Sequence, residues 1–402
     1  MNNELLEKLK AGRVHLHEIG DAQNASVAVE HRRAAISELT GVGFRHISHF
    51  SFDAEDAAKR NIENMIGAVH VPLGVAGPLR VNGDYASGDY YIPLATTEGA
   101  LVASADRGCS VITACGGANV RIFRDEMTRA PVFKTKDVAG AKRLTEWVKE
   151  NFQRLKERAE ETTRFGKLLS VEPFVAGRSV YLRFAYDTAD AMGMNMVTIA
   201  TDAAVDLVLS ENDVELVALS GNMCTDKKPA AMNIIMGRGK TVSADVILGE
   251  EIIQEKLHTT PERMAEVNYR KNLLGSARAG SLGFNAHAAN IAAAMFIACG
   301  QDAAHVVEAS NAMTTMELTE EGLYCSVTLP SLAVGTVGGG TRIGTQQECL
   351  AMLGAAGAGN PPGTNAKKLG EIIAAAILAG EISLIGALAA RHLAKAHAAL
   401  GR

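Results

Sequence analysis

The segment with the clearest pattern of strands and helices is residues 131–186, PVFKTKDVAGAKRLTEWVKENFQRLKERAEETTRFGKLLSVEPFVAGRSVYLRFAY. A strand-like run from Ala130 to Lys134 leads into a charged helical pattern, Val138 to Thr162. Two strand-like runs follow, Leu168 to Val175 and Ser179 to Tyr186. Strand and helix patterns that alternate over fewer than about 100 residues predict a small two-layer α/β domain of the ferredoxin-like kind.

The pattern on either side of this segment sets the domain boundaries. A helix from Val197 to Ser210 and a strand from Val214 to Ser220 complete the small domain, after which Ala- and Gly-rich helices and short strands return. Two apolar helical stretches, interrupted by Glu381, close the chain between Ala366 and Leu400. We therefore predict an α+β fold. Its parts are an N-terminal helical segment (1–50), a large helix-rich domain (51–130 and 219–402) and a small inserted α/β domain (131–218).

Composition limits the possible functions. A chain of 402 residues exceeds the size at which one hydrophobic core stops growing. Its net charge of -5 gives no basic footprint for nucleic acid. The six cysteines form no C-x-x-C pair, which indicates cytosolic thiols rather than a zinc site. The uncharged stretch Ala279 to Gln301 is long enough to span a membrane, but it contains polar residues and is predicted to be a buried core helix.

Several segments have the composition of ligand-binding sites. No G-x-G-x-x-G occurs, which disfavours a Rossmann fold. Gly335 to Thr341 contains three consecutive glycines, which would let backbone amides approach a phosphate, although a plain turn has the same composition. Thr225 to Ala230 places two lysines beside Asp226, either as a fixed cation for an oxyanion or as a solvated charge cluster.

Two carboxylates and one histidine complete the candidates. Glu98 and Asp302 lie among small and apolar residues, and isolated buried carboxylates are rare. Glu98 is expected in the first turn of a helix that starts near Thr96 and Thr97. His397 is close to the C-terminus, where a histidine is usually without function. Histidine pairs earlier in the chain lack supporting cysteines, so no metal is predicted.

Eight segments together resemble the catalytic domain of the 3-hydroxy-3-methylglutaryl-coenzyme A reductase family, in the family's order, from about residue 60 to 402. The segments are 63–67 with 72–78, 95–104, 125–131, 190–196, 226–231, 300–304, 335–341 and the end around His397. Met194 makes 190–196 similar to the first class of the family. His258 departs from the lysine of some members near the coenzyme A phosphates.

The resemblance implies a role for each matching residue. The implied catalytic residues are Glu98, Lys227, Asp302 and His397. The implied cofactor contacts are Thr163, Arg164, Asp190, Met192, Gly193, Met194, Asn195, Met196, Gly338 and Gly339. The implied substrate contacts are Ser104, Arg107, Arg129, Ser220, Asp226, Lys228, Lys271, His287, Asn290, Ser383 and Leu388.

The resemblance also implies a reaction. It is the four-electron reduction of (S)-3-hydroxy-3-methylglutaryl-CoA (HMG-CoA) to (R)-mevalonate and coenzyme A with two NADPH, through mevaldehyde, in isoprenoid biosynthesis. A cytoplasmic homodimer or higher homo-oligomer is expected, with the active site at the subunit interface and no membrane or nucleic-acid partner. Two alternatives stay open at this point: an acyl-coenzyme A transferase or hydrolase without redox chemistry, and a non-catalytic scaffold.

Overall fold

The computed structural model describes residues 7–9, 11–19 and 24–390. The strands are β1 (Leu73–Gly83), β2 (Ser87–Ala95), β3 (Ala118–Arg129), β4 (Val132–Lys134), β5 (Lys167–Ala176), β6 (Ser179–Asp187), β7 (Glu215–Ala218), β8 (Gly239–Leu248), β9 (Met313–Thr319) and β10 (Gly322–Leu332).

The α-helices are α1 (Ala25–Thr40), α2 (Ala54–Arg60), α3 (Leu101–Ala114), α4 (Val138–Glu150), α5 (Phe152–Glu160), α6 (Met194–Glu211), α7 (Ala231–Ile235), α8 (Glu250–Ile252), α9 (Pro261–Val267), α10 (Ser276–Ala279), α11 (Ala288–Ala298), α12 (Val306–Ala309), α13 (Gly344–Met352) and α14 (Thr364–Ala389). Short 3-10 helices span Leu16–Glu18, Ala303–His305 and Gly339–Arg342, and π-helices span Ile253–Leu257 and Asn268–Gly275.

The strands form a larger and a smaller sheet that share β3. The larger sheet has the order β2-β1-β3-β8-β10-β9, and its neighbours are antiparallel except for β1 and β3. The C-terminal end of β3, Met127–Arg129, leaves this sheet and pairs with β6. The predicted α+β class is confirmed, since the chain combines helices with a largely antiparallel sheet.

The smaller sheet is formed by β4, β5, β6 and β7 together with the end of β3. β4 and the end of β3 pair with one edge of β6, β5 pairs with the other edge, and β7 lies outside β4, all antiparallel. The resulting order is β7-β4-β6-β5, with α4, α5 and α6 as the helices of the same segment. Its buried apolar residues, among them Phe133, Leu155 and Val205, form a cluster separate from that of the larger sheet.

The larger core is built around α14, whose residues are almost all buried. The helix packs so closely on α3 that a Cβ at Gly108 would overlap the carbonyl oxygen of Ala379. Two glutamates of α14 are fully buried, and Glu371 accepts hydrogen bonds from the backbone N–H groups of residues 84–86. Because those bonds replace water, the buried carboxylate has partners.

Three details of the sequence prediction were wrong. The C-terminal apolar region is one helix up to Ala389, with Glu381 buried inside it rather than interrupting it. The helix predicted from Val138 to Thr162 is divided at Asn151 into α4 and α5. The stretch 279–301 is not one long helix, since residues 280–287 are irregular before α11 begins. Within the described part of the chain, α14 is the one helix long and apolar enough to cross a membrane, and 89% of its apolar window is buried in the protein.

Candidate active site

A cleft of about 840 Å³ lies between the start of α6 and the glycine-rich loop before α13. Its walls bring together many of the residues that the sequence analysis singled out. Those that line it are Arg129, Met192, Gly193, Met194, Asn195, Met196, Asp226, Lys227, Asp302, Gly338 and Gly339.

The two walls of the cleft are joined through their backbones. The Asp190 carbonyl accepts a hydrogen bond from the Thr336 N–H at 2.8 Å, and a Cβ at Gly335 would overlap the Met192 nitrogen. The Asp190 carboxylate is buried and accepts from the N–H groups of Gly359, Gly363 and Ala366. The Asp190 carboxylate therefore binds the backbone between residues 359 and 366, and its side chain does not face the cleft.

The loop that carries Lys227 has an unusual backbone. Asn222, Thr225 and Lys227 all have positive φ angles of 55–65°, which are uncommon for residues other than glycine. The buried Asn233 holds this conformation because its amide donates to the carbonyls of Thr225 (3.0 Å) and Lys228 (2.8 Å). Backbone strain kept in place by such contacts is typical of functional sites.

Lys227 and Asp302 form an ion pair at the bottom of the cleft. Lys227 Nζ lies 2.7 Å from Asp302 Oδ2, with side chains 41% and 37% exposed. The hydrogen bond that Lys227 donates to Asp302 raises the pKa of Lys227. Burial pushes the pKa of Asp302 up, but hydrogen bonds from Lys227 and the Ala304 N–H outweigh it, so the pKa is lowered. Both groups are therefore charged at neutral pH. Asp302 and Glu98 were expected to be buried, but both are exposed.

A cluster of four side chains lies directly behind this pair, and we call it the buried cluster: Arg238, Asp226, His305 and Glu308. Arg238 contacts Asp226 Oδ1 and Glu308 Oε1, each at 2.9 Å, and His305 Nδ1 is 2.7 Å from the same Glu308 oxygen. The ligand atoms of the three other members are close enough to hold a metal ion. The Arg238 guanidinium already occupies the position of a cation between the two carboxylates.

Glu98 belongs to a second group of polar side chains. It precedes α3, which begins at Leu101, so its predicted position in the first turn of a helix was wrong. Asn290 Nδ2 donates to Glu98 Oε1 at 3.1 Å and is 3.5 Å from His287 Nδ1. The N–H groups of Ala286 and His287 both donate to the buried Glu381 at 2.7 Å. No hydrogen bond or ion pair among residues 24–390 joins Glu98 to Lys227 or Asp302.

Three of the predicted substrate contacts meet between α3 and α14. Ser104 Oγ and Arg107 Nε each lie 3.0 Å from Ser383 Oγ, and Arg107 also donates to the Ser383 carbonyl. His287 Nε2 lies 2.7 Å from the Gly380 carbonyl, one turn earlier on α14. Leu388 lines a separate cavity beside α9.

The remaining predicted contacts are more dispersed. Thr163 Oγ1 is 3.0 Å from Met196 Sδ, and the neighbouring Arg164 is exposed. Arg129 donates to Thr198, Lys228 to the Asp226 carbonyl, and Ser220 Oγ is 3.4 Å from Cys224 Sγ. Lys271 and His258 are both exposed. His397 lies outside the described residues.

The residues that hold the site together were not predicted from the sequence. They are Asn233, Arg238, His305, Glu308 and Glu381, and all are fully buried. One signal was present in the sequence. His305 and Glu308 follow Asp302 at a spacing of three residues in an otherwise small and apolar run, which places titratable side chains on one side of a helical turn.

The cleft thus presents an ammonium group fixed beside a carboxylate, an arrangement that is able to stabilise negative charge on oxygen. The chain matches the hydroxymethylglutaryl-coenzyme A reductase family over residues 28–402. It belongs to that family.

Individual relatives agree along nearly the whole chain. It is 54% identical to the 3-hydroxy-3-methylglutaryl-coenzyme A reductase of Pyrococcus abyssi, with 99% of each chain covered. It is 56% identical to that of Haloferax volcanii, with 99% of this chain and 98% of the other covered. A class II reductase from Streptococcus pneumoniae, solved with NADPH in open conformations, has the same fold at a TM-score of 0.68 and 21% identity, with 96% and 97% covered.

Proposed function

We propose that this chain reduces HMG-CoA to mevalonate and coenzyme A, with NADPH as the reductant and mevaldehyde as the intermediate. The observation that carries the proposal is the Lys227–Asp302 pair in the cleft of a chain from this family. Family membership also removes the transferase, hydrolase and scaffold alternatives.

Lys227 stabilises the oxygen of the thioester carbonyl as it becomes negative. NADPH supplies hydride at each of the two reduction steps. The Lys227 ammonium is held by Asp302 at 2.7 Å and is not consumed, so it can act in both steps. A fixed cation that meets the developing charge lowers the barrier because it needs no reorganisation.

Glu98 and His397 act as proton donors. Glu98, held by Asn290, protonates the oxygen of the aldehyde during the second reduction. His397 protonates the thiolate of coenzyme A after the first reduction, because an unperturbed imidazole titrates closest to neutral pH. These roles rest on the position of each residue in the family's motifs.

The cleft fits a dinucleotide. α6 begins there with no side-chain cap on its N-terminal amides, and such a helix end favours phosphate. Gly338 and Gly339 face it with positive φ angles and open space around them. Thr163 packs beside Met196 and places the exposed Arg164 next to this region, where it would pair with a 2′-phosphate.

Residues 131–218 are the inserted NADP-binding domain in this proposal, and 51–130 with 219–402 form the catalytic domain. The strand order β7-β4-β6-β5, with helices between β4 and β5 and between β6 and β7, supports a ferredoxin-like topology. The separate apolar cluster supports its own core.

We also propose a cytoplasmic homo-oligomer whose active site lies at the subunit interface, with coenzyme A near Ser104, Arg107 and Ser383. Assignment to the first class rests on Met194 alone. One solved structure with the same fold is a class II enzyme, and this stands against the assignment. Sedimentation velocity of the parent protein and of a dilution series tests the oligomer.

The direct test of function is an assay of the purified protein with HMG-CoA and either NADPH or NADH. We expect oxidation of NADPH, formation of mevalonate, and a lower rate with NADH. Free mevaldehyde should also be reduced. Absence of mevalonate in the presence of both reactants would refute the proposal.

A further inference from the structure

The buried cluster contains titratable groups that the proposed mechanism does not use. His305, Glu308 and Arg238 are all fully buried, and the cluster touches the Lys227–Asp302 pair on both sides. Glu308 Oε1 accepts from the Lys227 backbone N–H at 3.3 Å, while His305 Nε2 is 3.7 Å from Asp302 Oδ2. The cluster thus holds the backbone of one partner and faces the carboxylate of the other.

The number of charges determines how many protons this region carries. Besides His305, the buried cluster contributes two carboxylates and one guanidinium, and the Lys227–Asp302 pair adds one charge of each sign. The sum is one excess negative charge when His305 is neutral and Glu308 is ionised. Uncompensated charge among buried groups is costly. One additional proton on the His305–Glu308 couple removes the excess.

That proton fixes the state of Nε2. If it lies on the imidazole, Nδ1–H donates to Glu308 and Nε2 also carries a hydrogen. If it lies on Glu308, the carboxylic acid donates to Nδ1, and the neutral ring then carries its hydrogen on Nε2. Either arrangement points an N–H at Asp302. The atom is buried with no hydrogen-bond partner, and 3.7 Å is beyond hydrogen-bond distance, so its attraction to Asp302 is electrostatic.

We propose that His305, held by Glu308, is a positioning residue whose Nε2–H faces Asp302 and keeps that carboxylate ionised against Lys227. The inference rests on the proposed function, because it assigns His305 an effect on turnover through Lys227. The groups that face His305 are Asp302 and Glu308 on its own segment, Asp226 on the lysine loop, and Arg238 before β8.

The test compares pH profiles of kcat for the parent, His305→Gln and the double variant His305→Gln/Glu308→Gln. His305→Gln removes the Nε2–H that faces Asp302, so Asp302 binds a proton more readily and the acid limb moves up by about 1 pH unit or more. Near neutral pH, kcat should fall about 10-fold and recover at higher pH. The double variant removes one carboxylate as well, which restores the balance, so its acid limb returns toward that of the parent.

The matched control is Glu371→Gln, which removes the charge of another fully buried carboxylate, on α14, where it accepts backbone N–H groups away from the cleft. Its acid limb should stay at the parent position. An unmoved limb in His305→Gln, or a loss equal at every pH and shared by the double variant, would show that His305 only packs.

A second measurement separates this inference from the proposed function. NMR of the parent protein with ¹⁵N-labelled histidine should show a hydrogen on His305 Nε2 at neutral pH. An unprotonated Nε2 would overturn the inference whether or not the enzyme turns over. A parent that binds its hydrogen there but makes no mevalonate would overturn the proposed function alone.

Discussion

Replacement of Asp302 by asparagine isolates the charge of the Lys227–Asp302 pair. Asparagine keeps nearly the same shape and can still accept from the Ala304 N–H, which Asp302 does at 3.0 Å. The variant loses only the negative charge of Asp302, whose Oδ2 lies 2.7 Å from Lys227 Nζ in the parent protein. The Lys227 ammonium then has no fixed counter-charge in the cleft, so we expect it to adopt several positions.

The structure gives the size of the effect. Coulomb's law at this separation gives about 1.5 kcal/mol with the dielectric constant of water and about 3 kcal/mol with half that value. The lower part of this range applies because both side chains are more than one-third exposed and solvent screens them. We therefore expect kcat to fall about 10- to 40-fold, with a smaller change in the KM for HMG-CoA.

The dependence of activity on pH tests the same ion pair, because it predicts the direction in which activity is lost. The pKa of Asp302 is lowered, so its charge is present at neutral pH and is lost as the pH falls through that lowered value. The parent should lose activity along that acid limb, and Asp302→Asn should lack it. Activity is followed by the absorbance of reduced nicotinamide with both reactants saturating.

Asp89→Asn is the control, since the Arg80–Asp89 pair has a similar length of 2.8 Å and similar exposure, 46% and 42%, far along the chain from the cleft residues. It should leave kcat and the acid limb unchanged. If Asp302→Asn keeps kcat within about twofold of the parent, or changes KM alone, our assignment of the ion pair is wrong.

Three further variants test single residues. Lys227→Ala should lower kcat by roughly 2.7–4 kcal/mol of transition-state stabilisation, with substrate binding largely kept; near-normal turnover with weak binding would make it a substrate anchor. Arg164→Ala should raise the KM for NADPH about tenfold and leave that for NADH unchanged; an equal effect on both would contradict a 2′-phosphate contact. His397→Gln should strongly impair reduction of HMG-CoA but not of free mevaldehyde, which has no thiolate to protonate; a parallel loss of both rates would assign His397 to the nicotinamide site.

Much of the local structure could be predicted from the sequence. The strands from Leu168 to Val175 and from Ser179 to Tyr186 lie within one residue of β5 and β6. Most residues of β6 are buried, and helix α6 was predicted over most of its length. Such segments are defined by interactions between residues close in sequence, which a pattern can show.

The environment of charged residues could not be predicted in the same way. Glu98 was expected to be embedded and is exposed, whereas Glu381 was expected to break a helix and is buried within it. The burial of Glu381 depends on the N–H groups of Ala286 and His287, about 95 positions earlier. Arg238 likewise depends on Glu308, 70 residues away. Only the tertiary fold brings such partners together.

The stoichiometry of the reaction is the most direct test of the proposed two-step reduction of HMG-CoA to mevalonate. NADPH oxidised and coenzyme A released are measured in the same reaction of the purified parent protein with limiting HMG-CoA, and mevalonate is identified as the product. We predict two NADPH oxidised for each coenzyme A released. Release of coenzyme A without oxidation of NADPH, or a ratio of one with mevaldehyde as the final product, would contradict the account.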